Sequence, residues 1–484
     1  MIVASPEPKD SGGLLHTRYS ELASNTIDYW MLPDDPEMSE ERINYAISSA
    51  NVFAESTLQL YLHVPFCAQR CRFCAFSGGN DLDFKQAERY VKLVVAQTRD
   101  LLKQTKARNL PIRSVNVGGG SPDLLRSHIR YLLRAVRDLP GVSTETEISV
   151  EFTLSTVTQE FIDGLVEFDV TKASFGIQSL DPQVRHYMRQ PKRLLNLERV
   201  LNWIDGRIPV VNADLITGMP GQNLSVVLKD LSGLMNDPRI NAISSYLLTA
   251  GAAPALIAAM ETGKIPLMPP PEQQALMRLH TYSTFLRDGW VRRGTNTYVD
   301  PSRIPSEIID RIAGNECIGA SHYEDFLIAA GPQAISFMPG VRAENFVDIR
   351  KWANAIETGN NPFHLVKSSD IKQRDTAFWV FPLRWEGLKR SSFEKLVGDG
   401  ALTTHQLNVW NELLEQGLVA ETTDSFRLSI RGEVFMGKLV RDLKQTKGQQ
   451  AVDEYISQGH QIGQAIANGQ VQDNNAANNR QSTF

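Results

Sequence analysis

The chain's 484 residues are long for one domain and comfortable for two, and a hydrophobic content of 42% with 22% charged residues is that of a globular protein. A net charge of −5 gives no electrostatic reason to expect nucleic acid as a partner, and no apolar stretch approaches the roughly 20 residues that cross a membrane. Four cysteines, three of them clustered, make no disulfide framework, and the N-terminus lacks a basic region followed by an apolar run, so a reducing, cytoplasmic setting is expected.

Residues 1–56 read as an N-terminal arm, partly disordered, with a helix start at Ser39 followed by acidic residues in its first turn. Residues 58–64 read as a buried strand that Pro65 stops. On the loop that follows, Cys67, Cys71 and Cys74 are spaced C-x3-C-x2-C. Thiolates select soft metals, zinc or iron–sulfur clusters above all. A structural zinc closes with four ligands, but Cys317 lies far downstream and His63 belongs to the strand. An electron-transfer ferredoxin takes four cysteines per cubane cluster. A [4Fe–4S] cluster held by three cysteines, with one iron open, fits the spacing best and leaves zinc as the competitor.

A regular alternation then begins. Strand patterns fall at 58–64, 112–117, 147–152, 172–177, 211–216 and 242–248, with helical patterns at 84–106, 122–137, 158–166, 195–204 and 224–234. Strands alternating with helices predict a parallel sheet, and six such units without a dinucleotide fingerprint predict a partial barrel. In such barrels the functional loops follow the C-terminal ends of the strands. The run Gly118-Gly119-Gly120-Ser121-Pro122 sits at one of those ends and removes the side chains that would keep a ligand from the backbone. Glu147 and Glu151, four residues apart on one strand, share a side. Gln178 ends the fourth strand, in KASFGIQSL, and Asp214 stands in the fifth, NADLITGMPGQ, where a buried carboxylate is costly unless hydrogen-bonded. Tyr246 on the sixth strand is a candidate ligand contact. Cys317 reads as a small buried hydrophobe. Residues 370–447 read as a separate unit of helices and a hairpin, packed over the barrel. Between residues 391 and 447 seven Lys and Arg face eight Asp and Glu, so no basic nucleic-acid face is present. The Gln-rich end, 448–484, reads as a disordered tail.

YLHVPFC with its cysteine spacing, Phe73 before the last cysteine, GGGSP, KASFGIQSL and DLITGMPGQ together resemble the radical S-adenosylmethionine (radical SAM) superfamily. Within it they resemble the branch that contains oxygen-independent coproporphyrinogen III oxidase. The resemblance implies an α/β fold, a partial (β/α)6 TIM-like barrel over 57–345 with a small winged-helix-like α+β domain over 370–447. It implies that Cys67, Cys71 and Cys74 bind a [4Fe–4S] cluster whose open iron is chelated by SAM, with one or two SAM molecules bound. One electron from the cluster then cleaves SAM to methionine and a 5′-deoxyadenosyl radical. Tyr61, Phe73, Gly119, Gly120, Ser121, Glu151, Gln178 and Asp214 fall on cofactor-contacting positions, with Tyr61, Glu151, Gln178 and Asp214 as the catalytic set. Residues 296–301 match a substrate-side loop, and 328–338, with Gln333 and Ser336, a segment that passes beside the ligand.

The chain also departs from the pattern. Lys172 stands where arginine is usual, Gln190 stands twelve residues after Gln178 where the family has arginine (Arg189 is eleven on), and Phe76 replaces the oxidase's fourth loop cysteine. These departures turn the expected chemistry toward C-methylation of a tetrapyrrole or heteroaromatic substrate. Oxidative decarboxylation of coproporphyrinogen III and haem chaperoning are the alternatives within the family, and a zinc-stabilised regulatory protein is the alternative outside it. The resemblance implies a small-molecule substrate and an electron donor such as flavodoxin or ferredoxin, with no nucleic acid and no membrane.

Overall fold

A computed structural model describes residues 40–443 apart from 55, 75–82, 195, 249–252, 295, 313–324, 369–382, 384–386, 401, 435–438 and 440–442. The N-terminal arm before residue 40, Phe76, Cys317 and the Gln-rich tail therefore lie outside the described residues. Among those described, no helix is long and apolar enough to cross a membrane.

One mixed sheet organises the chain. Strands β1 (Leu58–Val64), β2 (Ile112–Gly119), β3 (Glu147–Phe152), β4 (Lys172–Gln178), β5 (Val210–Thr217) and β6 (Ala242–Leu247) lie side by side in sequence order and pair in parallel. Parallel neighbours cannot be joined by tight turns, so helices such as Phe84–Gln104, His128–Arg137, Gln159–Glu167 and Leu224–Met235 make the crossovers. The partial α/β barrel expected from the alternation is thus present. Beyond β6 the sheet continues, antiparallel, into β8 (Thr297–Val299) and β7 (Val291–Arg293).

The two faces of this sheet differ in character. Leu60, Leu62 and Val64 of β1, Val115 and Val117 of β2, Ile148 and Val150 of β3, Ala173 and Phe175 of β4, and Val211 and Ala213 of β5 all join the core shared with the helices. The alternate residues point the other way and are polar: His63, Glu147, Ser149, Lys172, Ser174, Asn212 and Ser244 are all buried. Parallel strands buried on both faces are ordinarily apolar throughout. A polar inner face is the signature of a barrel built around a ligand.

Three segments differ from the sequence-based expectation. Residues 326–338 supply β9 (Phe326–Ala330), a seventh parallel strand beside β1, and β10 (Ile335–Met338), which turns back antiparallel and leads to β11 (Val341–Asn345) and β12 (Phe363–Ser368). Ser336 Oγ accepts from the Ala329 N–H of β9 (2.9 Å) and does not border the cleft. Residues 297–299 extend the sheet edge, and Tyr298 is buried against Phe285 at a ring separation of 4.4 Å, so this segment serves packing rather than the substrate side. The single helix expected over 122–137 is broken: a short 3-10 turn, Pro122–Leu125, ends at Arg126, whose φ of 54° is incompatible with continuing a right-handed helix.

Toward the C-terminus, β13 (Leu388–Lys389), β14 (Val419–Glu421) and β15 (Ser425–Leu428) form a three-stranded sheet with the helices Arg390–Gly398 and Thr404–Glu415. Thr403 caps the latter helix in a reciprocal pair with Gln406. This part packs on the far edge of the main sheet. Arg278 donates to the carbonyls of Glu433 and Val434, and the Glu433 carboxylate accepts from Tyr298 and Arg292.

The β9–β10 turn is fixed by a buried polar knot. Gln97 Oε1 accepts from the Trp352 indole (2.8 Å) and from Gly331 N–H (2.8 Å), while its amide donates to Asn345 (2.9 Å). Removing Gln97 leaves two buried donors and one buried acceptor unanswered at about 1–3 kcal/mol each. Gln97→Ala is therefore expected to cost at least about 3 kcal/mol, seen as a lowered urea midpoint. A midpoint unchanged from the parent contradicts this account of the turn.

Candidate active site

The cysteine loop is fastened at both ends. After β1, the Gly-rich turn reaches across to it: Gly120 N–H donates to the Val64 carbonyl (2.7 Å) and Ser121 N–H to the Phe66 carbonyl (2.6 Å). On the other side the loop is laced to residues 185–190, behind a helix, Pro182–Tyr187, that the sequence pattern did not reveal. Arg72 N–H donates to the Met188 carbonyl (3.0 Å), and Gln69 donates to the Arg189 carbonyl (2.7 Å). Cys67 has the Ser121 hydroxyl 3.8 Å from its sulfur, and Cys71 has the Gln190 amide at 3.8 Å. None of the three cysteines is in a disulfide, and all are half-buried. Phe73, also half-buried, packs on the apolar cluster of Val184, Met188 and Met219, so its ring anchors the loop's last turn.

The triple glycine shows why side chains are excluded there. A Cβ on Gly118 would lie 2.4 Å from the Glu151 carboxyl, and one on Gly120 2.4 Å from the Phe66 carbonyl. Gly119 has a φ of +109°, and a Cβ there would meet the His63 ring at 2.4 Å. The backbone of this turn therefore lies against Glu151 and the strand bearing the cysteines. Glu151 accepts from Gly119 N–H (3.1 Å) and from the Asn116 amide (3.3 Å), a partner that sequence reading missed although Asn116 shares Gly118's strand parity. Burial pushes the Glu151 carboxyl above its ordinary range.

Tyr61 stands behind the turn rather than in the cleft wall. Its hydroxyl is 2.7 Å from His63 Nδ1 and 3.0 Å from the Cβ position of Gly119, and its ring packs against Leu327 and Ala329 of β9. Burial holds the His63 imidazole down to about 4, so it is neutral at any physiological pH. Glu147 is buried, and it does not border the cleft. Tyr246 does not border the cleft.

Gln178 closes the fourth strand in a strained conformation, with φ of 65° and a register shift against β5. Such a backbone persists only when its surroundings over-determine it. Here Arg185 donates to the carbonyls of Ile177 and Ser179, and Asp230 accepts from the Ser179 hydroxyl (2.6 Å) and Leu180 N–H (2.9 Å). The Gln178 Oε1 is left buried without a hydrogen-bond partner. Asp214 accepts from Asn212 (2.8 Å), which also donates to Ser174 (2.7 Å). Burial raises the Asp214 carboxyl to about 7, with the nearby Glu151 adding to the shift. One cleft is thus bordered by Cys67, Cys71, Phe73, Cys74, Gly119, Gly120, Ser121, Glu151, Gln178 and Asp214.

A family model described as the Radical SAM superfamily matches residues 61–232. The oxygen-independent coproporphyrinogen III oxidase of Synechocystis sp. is 24% identical over 434 residues, covering 84% of this chain and 90% of that protein. Over residues 61–232 the chain resembles the radical SAM superfamily, and over most of its length it is similar to a coproporphyrinogen III oxidase. The heme chaperone HemW of Haemophilus influenzae is 24% identical over 406 residues, 79% of this chain and 97% of that one. The solved coproporphyrinogen III oxidase HemN of Escherichia coli, a radical SAM enzyme, superposes with a TM-score of 0.67 at 19% identity, covering 84% of this chain and 93% of that one; this likeness establishes the fold.

The radical SAM family matched over residues 61–232 uses a [4Fe–4S] cluster and SAM. The cleft suits both. Among the described residues no three His, Cys, Asp or Glu side chains are gathered as ligands of a single metal ion. The three thiols are soft donors on one fastened loop, and burial pushes Cys67 and Cys71 up to about 11 and about 12, a cost that bound iron reverses by stabilising the thiolates. The uncommitted Gln178 oxygen and two buried carboxyls face the same space as acceptors for amino and hydroxyl groups.

Asp214 carries a pH signature. The folded protein keeps its proton to about pH 7, whereas the unfolded chain releases it near 3.8. The associated stability is fully present below the unfolded value and is lost as pH rises through about 7. Asp214→Asn removes the titration and is expected to stabilise the cofactor-free protein at pH 8 by on the order of 4 kcal/mol, with a difference near zero at pH 4. Urea unfolding at the two pH values checks it; equal effects at both contradict the assignment.

Proposed function

We propose that Cys67, Cys71 and Cys74 hold the [4Fe–4S] cluster and that SAM lies between it and Gly119, Gly120, Ser121, Glu151, Gln178 and Asp214, where its radical acts on a tetrapyrrole. The carrying observation is the convergence: a three-cysteine loop, a side-chain-free turn and acceptors from three successive strands border one cleft. The cluster supplies the electron that splits SAM. The chain's own residues do the rest. Backbone carbonyls of the glycine turn accept from the SAM amino group, the Asp214 and Gln178 oxygens accept from ribose hydroxyls, and Phe73 covers the loop. Tyr61 and His63 buttress the turn from behind, a supporting role rather than a contact. The inner wall is polar and held in shape by Arg185 and Asp230, so it keeps the nucleoside in one orientation. Residues 370–447 act as a packing unit on the sheet edge, distinct from the barrel over 57–345.

A tetrapyrrole is favoured because the relatives above that match most of this chain's length are named for coproporphyrinogen III and heme. The oxidase's name also favours oxidation over the methylation expected from Phe76 and Gln190. Methylation remains the second reading, supported by Gln190, whose amide meets Cys71 where the family's arginine stands. It would call for a second SAM. An external electron donor such as flavodoxin or ferredoxin completes the scheme.

Anaerobic reconstitution is expected to give a brown protein with about four irons per chain. Cys67→Ala, Cys71→Ala or Cys74→Ala is expected to abolish the cluster, and Cys317→Ala to leave it intact. With coproporphyrinogen III, loss of carbon dioxide supports decarboxylation, whereas S-adenosylhomocysteine and a product heavier by one methylene support methylation. One tightly bound zinc and no iron overturns the proposal.

A further inference from the structure

Lys172 is the least expected side chain in the barrel. It is fully buried, at 0% exposure, and its Nζ has no hydrogen-bond partner. A lysine in that position is rare because desolvating an ammonium is costly. Its strand parity explains where it goes: Ala173 and Phe175 join the helix-facing core, so Lys172 and Ser174 point into the barrel. The register sets Lys172 beside Ser149 of β3, and Ser149 beside Asn116 of β2. Asn116 Oδ1 and Ser149 Oγ are likewise buried and unpartnered.

The charges that face Lys172 come from the strands on either side. Burial pulls the Lys172 ammonium below its ordinary range, and Glu147 and Glu151 from β3 and Asp214 from β5 oppose that shift by favouring its charged form. Across the barrel, β1 presents Tyr61 and the neutral His63, β2 presents Asn116, and β6 presents Ser244. Lys172 in turn draws both Glu151 and Asp214 toward ionisation.

We infer that Lys172 is a positioning residue: as the cation inside the barrel it sets the charge of Glu151 and Asp214, and through them the affinity for SAM, itself a sulfonium cation. The inference rests on the proposed SAM site. Ionised carboxylates accept SAM's donor groups and offset its positive charge, and protonated ones do neither. Without Lys172 the two carboxyls hold their protons to higher pH, so the same affinity is reached only in more alkaline solution. Arginine, which keeps the charge, preserves the behaviour.

The test measures SAM affinity for the anaerobically reconstituted, unreduced protein between about pH 6 and pH 9, a range that brackets the raised Asp214 carboxyl. The parent is expected to bind more tightly as pH rises through the carboxyl range. In Lys172→Met the rise is expected at least about one pH unit higher, giving about tenfold weaker binding at neutral pH with convergence at high pH, while Lys172→Arg follows the parent. A Lys172→Met profile parallel to the parent's, weaker by the same factor at every pH or not weaker at all, overturns the inference. If Lys172→Met does not fold, the double variant Lys172→Met/Asp214→Asn is expected to restore folding by removing the uncompensated carboxyl, and its failure to fold also overturns the inference. A parent that binds no SAM at any pH defeats the proposed SAM site instead.

Discussion

The absence of side chains at Gly118, Gly119 and Gly120 is the constraint on which the site depends. Three surfaces meet at that turn: the Glu151 carboxyl, the His63 ring, and the Val64 and Phe66 carbonyls at the root of the cysteine loop. Any Cβ there would have to displace backbone or a buried polar group, because it would come within 2.4 Å of its nearest neighbour, far inside van der Waals distance. The turn thereby sets how far the cysteine loop stands from the carboxylate of β3. It also leaves backbone amides and carbonyls as the nearest groups to whatever occupies the cleft.

Around that turn the barrel divides its chemistry by strand parity. The helix-facing residues are apolar and supply the burial that holds the sheet together, at about 25 cal/mol per Å² of apolar surface removed from water. The inward residues are polar, and several remain without partners: Gln178 Oε1, Asn116 Oδ1, Ser149 Oγ and Lys172 Nζ. Unanswered buried polar atoms lower stability. Their concentration on one face of β2, β3 and β4, beneath a cleft lined by three cysteines, is what a barrel retains for binding rather than for folding. The strained Gln178, clamped by Arg185 and Asp230, belongs to the same pattern.

Much of this was legible in the residues themselves. Cys67, Cys71 and Cys74 lie close in sequence, so their shared loop needed no tertiary knowledge, and the apolar runs of β1 to β6 announced a parallel sheet. Parity alone put Glu147 and Glu151 on one side of their strand, and the family resemblance put Asp214 at a cofactor position. What escaped was decided by distant partners. Phe326–Ala330 pairs with β1 across more than half of the chain, and no local signal marks it as a seventh parallel strand. The helix Pro182–Tyr187 is too short for a periodicity, and its role comes from Arg185 reaching back to Ile177. Tyr61 pointed inward as its parity required, but only the packing of β9 and the contact with His63 show that it stands behind the glycine turn.

The central claim is that this cleft brings SAM to an iron–sulfur cluster so that one electron breaks its carbon–sulfur bond. The most direct measurement is the yield of 5′-deoxyadenosine when the reconstituted protein is reduced with dithionite and given SAM without any substrate. The account predicts slow release of 5′-deoxyadenosine with an equal amount of methionine, and its near-complete loss in Gly119→Ala while the iron content stays at the parent's level. An intact, reducible cluster that leaves SAM uncleaved would contradict it.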